Sequence, residues 1–470
     1  METSPRAAVV AYYQDPRIRA RLNEYLTDER GEVSAVYVAG FDSSAQPYPT
    51  WSDASIVAAA QLEALTLRGY DVARSLWDRT ALIFLLDLDY QNLDYPGEPF
   101  THATDTFFKL EKAYQSCCRV FNELGLTPLV TATGRGYHFV GRIPLDQPVA
   151  DRLAGLTATP SWYDGHVRRC RSAGTAPMST WHARAAAGLG LVLEYVAQLI
   201  LKDAEQASLV PVVLNGTPVG SGFIGRECVS VDISHAGDPL DARHVRMAFS
   251  TYQFHLARPD IFGPAVANGP VVVAMPREPL SLEAFLRAGR SLTDGLEASA
   301  TARSVLPDIS RGVDALLERY VRSPLGSFHA TFTRECGAML DEPWPEIPDG
   351  LPPCIRRPLD QPNDLLLKPE YLQDLVRGLM ARDWSAAAIA RLVEREYARD
   401  HHWSDRWRRL DARTRAEFDV RVFAGLLVTG ADRLIDFNCT SSQEKGVCPR
   451  CGCPHDLRED RDRLMTKFTS

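Results

Sequence analysis

The stretch "LIFLLDLDYQ", residues 82–91, constrains the fold more than any other. Its apolar run, with strand-like length, predicts a buried β-strand over 81–89. Asp87 and Asp89 interrupt that run at i and i+2, positions that project from one face of a strand. Two adjacent carboxylates repel each other and desolvate badly unless a cation sits between them. Oxygen-only ligands suit a hard ion such as Mg²⁺ or Mn²⁺. Alone, a D-x-D pair is also what solvated acids at an exposed strand end look like.

The strand sits in a chain of 470 residues, long enough for two or three domains. A composition 45% hydrophobic and 24% charged is that of a soluble, globular protein. The apolar runs 189–196, broken by Glu194, and 271–275 are far too short to span a bilayer. The start METSPRAAVV has neither a basic opening nor a sustained apolar stretch, so no secretory signal, no membrane and a cytoplasmic location are expected. A net charge of −8 excludes a uniformly basic surface but leaves room for a local basic groove.

Around the acidic strand, helix-like runs cover 17–26 and 56–67, and a helix is predicted over 104–124. Strands follow at 128–132 and 134–141, and 150–180 reads as irregular. A helix is expected over 183–207, two or three strands over 210–234 and another strand over 271–275. Strands and helices interleave without a regular βα period, which predicts an α+β (mixed α/β) fold for residues 1–288. Residues 289–304 read as a linker, and 305–470 as a mostly α-helical domain. Its helices are the amphipathic 369–383, 385–400 with Ser385 as N-cap, and 414–429 closed by Gly430.

Two further segments carry chemistry. In "TATGRGYHFV" (131–140), Gly134 and Gly136 allow close backbone approach to an anion, and Arg135 offers a guanidinium fork to phosphate. His138 follows on the next strand; a plain hairpin with a packed histidine has the same signature. In "CVSVDISHAGDPLDARHVRMAFSTYQFH" (228–255), strand alternation places Cys228, Ser230 and Asp232 on one face. Arg243 and Arg246 follow on a helix or turn. A third carboxylate from a separate strand is what two cations roughly 3.5–4 Å apart require.

The order D-x-D, then TGRGYH, then a strand ending in Asp followed by Arg and Ser resembles the archaeo-eukaryotic primase superfamily. The likeness is to the small catalytic subunit, over roughly residues 80–280. "FLLDLD", "TGRGYHFV" and "VSVD" match its three motifs, and "VRMAFS" and "VVVAMP" its later segments. The resemblance implies a mixed α/β core with a modified RNA-recognition-type sheet. It implies that Asp87, Asp89 and Asp232 hold Mg²⁺ or Mn²⁺ and that His138 contacts the triphosphate. It also implies that Thr133, Gly134, Arg135, Gly136, Arg243, Arg246 and Ser250 bind nucleotide. The family often continues Ser-x-His-x-Lys; Tyr252 and Phe254 stand there in this chain, with His255 beside them.

Four of the ten cysteines crowd the C-terminus as C-x8-C-x2-C-x-C-x-H: Cys439, Cys448, Cys451 and Cys453. A zinc knuckle fits this spacing. With "LPPC" ending at Cys354, the order also resembles the helical domain of the primase large subunit, which holds a [4Fe–4S] cluster. That resemblance assigns Cys354, Cys439, Cys448 and Cys453 as ligands, with Cys451 as the alternative fourth. Four thiolates satisfy iron–sulfur or zinc chemistry. His166, Cys170 and His182 have poor metal spacing. The run "HHWSDRWRRLD" (401–411) could stack bases or form one packed helical face.

Together these readings predict a primase–polymerase that makes and extends primers from NTPs or dNTPs by template-directed nucleotidyl transfer. Expected partners are single-stranded DNA template, primer–template duplex, and a helicase or other replication or defence protein. The alternatives are a polymerase that only extends primers, in repair or defence, and a non-catalytic nucleic-acid-binding protein. The cofactors expected are Mg²⁺ or Mn²⁺ and a [4Fe–4S] cluster, or zinc in its place.

Overall fold

The computed structural model describes residues 5–45, 54–216, 227–362, 368–399, 401, 411–444, 446–448 and 453–468. Its fold is mixed α/β with a helical C-terminal region. A small sheet contains β1 (Tyr37–Phe41), β2 (Ser55–Ala58) and β3 (Asp71–Ser75). The 12-residue strand β4 (Ala81–Asn92) carries the acidic pair. After it come β5 (Leu129–Ala132), β6 (Gly136–Pro144), β7 (Val212–Leu214) and β8 (Glu227–Asp232). The last strands are short: β9 (His244–Arg246), β10 (Thr251–Tyr252), β11 (Val272–Val273) and β12 (Met275–Pro276).

Among the described residues these form a six-stranded sheet in the order β12-β5-β6-β4-β8-β7, a four-stranded sheet β2-β1-β3-β9 and the pair β10-β11. All pairings are antiparallel except β7 with β8. Alternation along β4 explains its double burial. Leu82, Phe84, Leu86, Leu88 and Tyr90 face the helices Ala103–Leu124 and Thr180–Ala204. Ile83 and Leu85 face the other way, into an apolar cluster with Val9, Tyr13, Ile18 and Val72. Beyond Leu85 that second layer stops. There the next two outward positions are Asp87 and Asp89.

The helix Thr180–Ala204 is long and apolar enough, by length and composition, to cross a membrane, although no uninterrupted apolar run in the sequence is. In the fold, 67% of its apolar stretch is buried inside the protein. The first core continues without a break into the C-terminal helices through Val313, Leu316, Phe332, Ile389, Val420 and Phe423. Local caps shape those helices. Ser385 Oγ accepts the Ala388 N–H at 3.2 Å and Asp411 accepts that of Thr414 at 2.8 Å. Gly430, at φ +68°, closes Ala412–Val428.

Several local expectations yield to tertiary context. The helix-like 56–67 opens as strand β2, because its residues pair with β1, and only short helical turns follow. The irregular 150–180 contains helices Pro148–Ala154 and Tyr163–Ser172. The stretch 289–304 carries the helix Leu292–Ala298, whose Leu292 and Leu296 pack on the N-terminal cluster. Arg21 Nε donates to Ser299 O at 3.0 Å and Ser304 Oγ to Arg21 O at 2.5 Å, tying that stretch to an N-terminal helix. The strand 271–275 divides between two sheets, β11 pairing with β10 and β12 with β5.

Candidate active site

Residues directly opposite each other in antiparallel strands project to the same face. Asp87 lies opposite Asp232 of β8 on one side and His138 of β6 on the other, and His138 lies opposite Thr131 of β5. Thr131, His138, Asp87 and Asp232 therefore form one polar row across four adjacent strands. The preceding row, Leu129, Val140 and Leu85, is apolar and packs against the N-terminal layer. In the following row Asp89 lies between Gly136 and Ser230. The three acids singled out in the sequence are thus brought together, with His138 beside them.

Their surroundings differ. Asp89 is buried, with Oδ2 2.5 Å from Arg135 Nη2. Burial raises its pKa to about 6, against the pull of Arg135 and with the help of Asp87. Asp232 is pushed up by burial, yet the Ser234 N–H at 2.7 Å and the Ser234 hydroxyl bring it below the ordinary carboxylate range. Asp87 has a buried Oδ1 without a hydrogen-bond partner, 3.5 Å from His138 Nε2. His138 Nδ1 and Thr131 Oγ1 are likewise buried and unpartnered. Three orphaned polar atoms in one row are costly in an empty fold, and a polar ligand or cation would relieve them. As the side chains stand, no group of three or more His, Cys, Asp or Glu among the described residues is arranged to hold a metal ion. That holds for the acidic row and for Cys354, Cys439, Cys448 and Cys453 alike.

The glycine turn is a tight hairpin in which the Thr133 N–H donates to Gly136 O at 2.8 Å. A Cβ on Gly136 would fall 1.8 Å from Leu88 O, and one on Gly134 2.7 Å from the Phe100 ring. Both glycines are therefore required by packing, whatever ligand the turn meets. Arg135 is spent on Asp89 rather than pointing free toward a phosphate.

Arg243 and Arg246 do not lie on a helix; they follow a 3₁₀ turn, with Arg246 on strand β9. Arg243 pairs with Asp238. Arg246 donates to Thr251 O at 2.7 Å, lies 3.7 Å from buried Asp71 and covers the Tyr252 ring. Ser250 is fully buried and its Oγ accepts the Val72 N–H at 2.9 Å. These two side chains hold strands together and face inward. Tyr252 and His255 join Phe100 in an aromatic stack, Phe100 and His255 lying 4.1 Å apart and nearly parallel. Tyr252 and Phe100 thus wall the glycine turn at Gly134 with aromatic surface rather than charge.

At the C-terminus, Cys354 is buried and its thiol is pushed up to about 12, by burial first and then by neighbouring Cys448 and Cys439. Cys448 and Cys439 are thus near enough to act on the Cys354 thiol, without the three forming a metal-ligand group. Cys439 Sγ accepts the Leu457 N–H at 3.5 Å, and Cys453 Sγ lies 3.9 Å from His455 O. Cys451 and most of the aromatic-basic run, residues 402–410, lie outside the described residues. His166 has structural work: Nδ1 meets Asp241 at 3.2 Å and Nε2 accepts the Met178 N–H at 3.0 Å. A cavity of about 220 Å³ lies between Thr180–Ala204 and Ala412–Val428, bordered by His235, Asp238 and Phe418.

Sequence reasoning missed Thr131 and Arg415. Thr131 is an ordinary strand threonine until cross-strand register sets it beside His138. Arg415 lies 183 residues (415 − 232) beyond Asp232, and only the tertiary fold brings it to the Asp232 loop.

No family model matches the chain, and no curated protein matches it. Among solved structures, the polymerase domain from Mycobacterium tuberculosis ligase D in complex with DNA is weakly similar. The likeness has a TM-score of 0.32 and 13% identity, and covers 68% of this chain and 89% of that one.

Proposed function

We propose that this protein is a template-directed nucleotidyltransferase of the primase–polymerase type, acting on DNA with NTPs or dNTPs. The observation that carries the reading is the single row of Asp232, Asp87 and His138 across three adjacent strands, with Asp89 one row on. Asp87, Asp89 and Asp232 would hold Mg²⁺ or Mn²⁺, and the orphaned Asp87 oxygen and all-oxygen donor set suit that choice. Such ions, when bound, lower the pKa of a primer 3′-hydroxyl and neutralise charge on the departing pyrophosphate. His138 would meet the triphosphate, with Thr131 opposite it in the row. The apolar row beneath keeps water from the floor of the site.

Cys354, Cys439, Cys448 and Cys453 would hold a [4Fe–4S] cluster, or zinc with Cys451. The nearness of Cys448 and Cys439 to the Cys354 thiol supports including Cys354. The helical region would then serve primer initiation at the template–primer junction.

A non-catalytic nucleic-acid-binding role is favoured by one observation, the closure of Arg135 on Asp89 together with the inward-facing Arg246 and Ser250. Primer synthesis on bare single-stranded DNA, and extension of an annealed primer, separate these readings. Each would be run with NTPs and dNTPs in Mg²⁺ and Mn²⁺, beside Asp87→Ala. Products in both assays, lost in Asp87→Ala, are expected. Extension without initiation leaves an extending polymerase. Activity surviving in Asp87→Ala, or no activity with DNA binding intact, overturns the catalytic assignment.

A further inference from the structure

The loop after Asp232 is held from outside the catalytic sheet. The Asp232 carboxylate accepts the Ser234 N–H at 2.7 Å. Ser234 O in turn accepts Arg415 Nη1 at 3.1 Å, and Arg415 Nη1 also lies 3.4 Å from Asp238 Oδ1. Asp238 is buried and pairs with Arg243 on its other oxygen. Arg415 belongs to the C-terminal helix Ala412–Val428, where Asp419, 3.1 Å from its Nε, fixes its orientation. One turn along the same helix, the Phe418 ring packs on Gly237 so closely that a Cβ there would fall 2.5 Å from it.

From these contacts we infer that Arg415 is a positioning residue for Asp232, so that the C-terminal helical region completes the acidic site rather than merely accompanying it. The inference rests on the proposed role of Asp232 in holding a divalent ion. Its physical basis is geometric. Asp232 is the last residue of β8, paired with Asp87; beyond it Asn215 Oδ1 accepts the Ile233 N–H at 2.7 Å, and strand pairing gives way to a short 3₁₀ turn over Ser234–Gly237. Such a turn has few bonds of its own to fix a carboxylate. A planar guanidinium that reaches a carbonyl and a carboxylate together can supply that constraint, and a lysine ammonium cannot do both in the same geometry. The arrangement also couples two parts of the chain: displacement of the Ala412–Val428 helix would move Ser234 and with it the Asp232 carboxylate.

The test uses the whole 470-residue chain and Mn²⁺ alone as probe, with binding read by electron paramagnetic resonance and folding by thermal melting. Asp232→Asn is the reference and Arg415→Met the probe variant. Arg413→Met is the control, since Arg413 pairs with Glu417 on the same helix and takes no part in the clamp. Residues that orient metal ligands typically change affinity roughly tenfold to a hundredfold. Arg415→Met is therefore expected to weaken Mn²⁺ binding at least tenfold, toward the Asp232→Asn value, while Arg413→Met binds as wild type. Where Arg415→Met fails to fold, Arg415→Lys replaces it, with weakened binding expected at a native melting temperature. Weak binding in Asp232→Asn with wild-type binding in a folded Arg415 variant overturns the clamp and leaves the acidic site standing. Unchanged binding in Asp232→Asn overturns the metal site itself, and the clamp with it.

Discussion

Asp89→Asn should stabilise the protein in the absence of divalent ions, and the structure sets both the size and the pH range of the effect. Asp89 is 7% exposed, and burial moves its pKa from 3.8 to about 6 despite the Arg135 ion pair. A folded-state pKa raised above the unfolded one means that the folded chain holds the proton more tightly. Stability therefore falls as pH rises from the unfolded to the folded value. The displacement corresponds to roughly 3 kcal/mol against the charged form above pH 6. Asparagine keeps the shape, offers Arg135 a carbonyl and carries no charge beside Asp87. The variant should thus exceed wild type by about 2–3 kcal/mol at pH 7.5, with the gap closing between pH 6 and pH 4. Urea denaturation followed by tryptophan fluorescence, in chelator, measures it. Mn²⁺ should then raise the midpoint of wild type more than that of the variant, because a ligand stabilises the state that binds it. Coincident midpoints at pH 7.5, or a gap that persists unchanged at pH 4, would refute the reasoning.

His138→Ala should raise the KM for the incoming nucleotide with only a small loss of melting temperature, since Nδ1 has no partner to lose and Nε2 only the 3.5 Å contact with Asp87; a folding loss with unchanged kinetics would make it a packed histidine. Gly136→Ala should destabilise the fold by several kcal/mol, because the new methyl would meet the Leu88 carbonyl of the adjacent strand. A soluble Gly136→Ala protein with native melting and reduced nucleotide binding alone would refute that packing argument. Anaerobically purified protein should be brown, and Cys354→Ser should lose the colour. A thiol pushed up to about 12 stays protonated near neutral pH unless a metal ionises it. One zinc per chain, retained in Cys354→Ser, would replace the cluster with a knuckle that ignores Cys354.

Much of the frame was legible in the chain because it depends on local periodicity. The apolar run over 81–89 predicted a buried strand with two acids on one face, which the structure extends to Ala81–Asn92. The helices expected over 104–124, 385–400 and 414–429 form as Ala103–Leu124, Ala386–Tyr397 and Ala412–Val428, and Gly125 and Gly430 mark two of their ends with positive φ. Pairing was not legible. Residues 56–58 become a strand only because β1 offers an edge, and 289–304 is ordered only because the N-terminal helices cover Leu292 and Leu296. The site divides in the same way. Residue types and order named Asp87, Asp89, Asp232 and His138, since carboxylate spacing on a strand is local chemistry. Register and long-range contact then decided their states: Arg135 turned to Asp89, Arg246 and Ser250 turned inward, Thr131 set beside His138 and Arg415 brought to the Asp232 loop. A sequence carries side-chain chemistry position by position, whereas a charge's partner and its burial are properties of packing between distant segments.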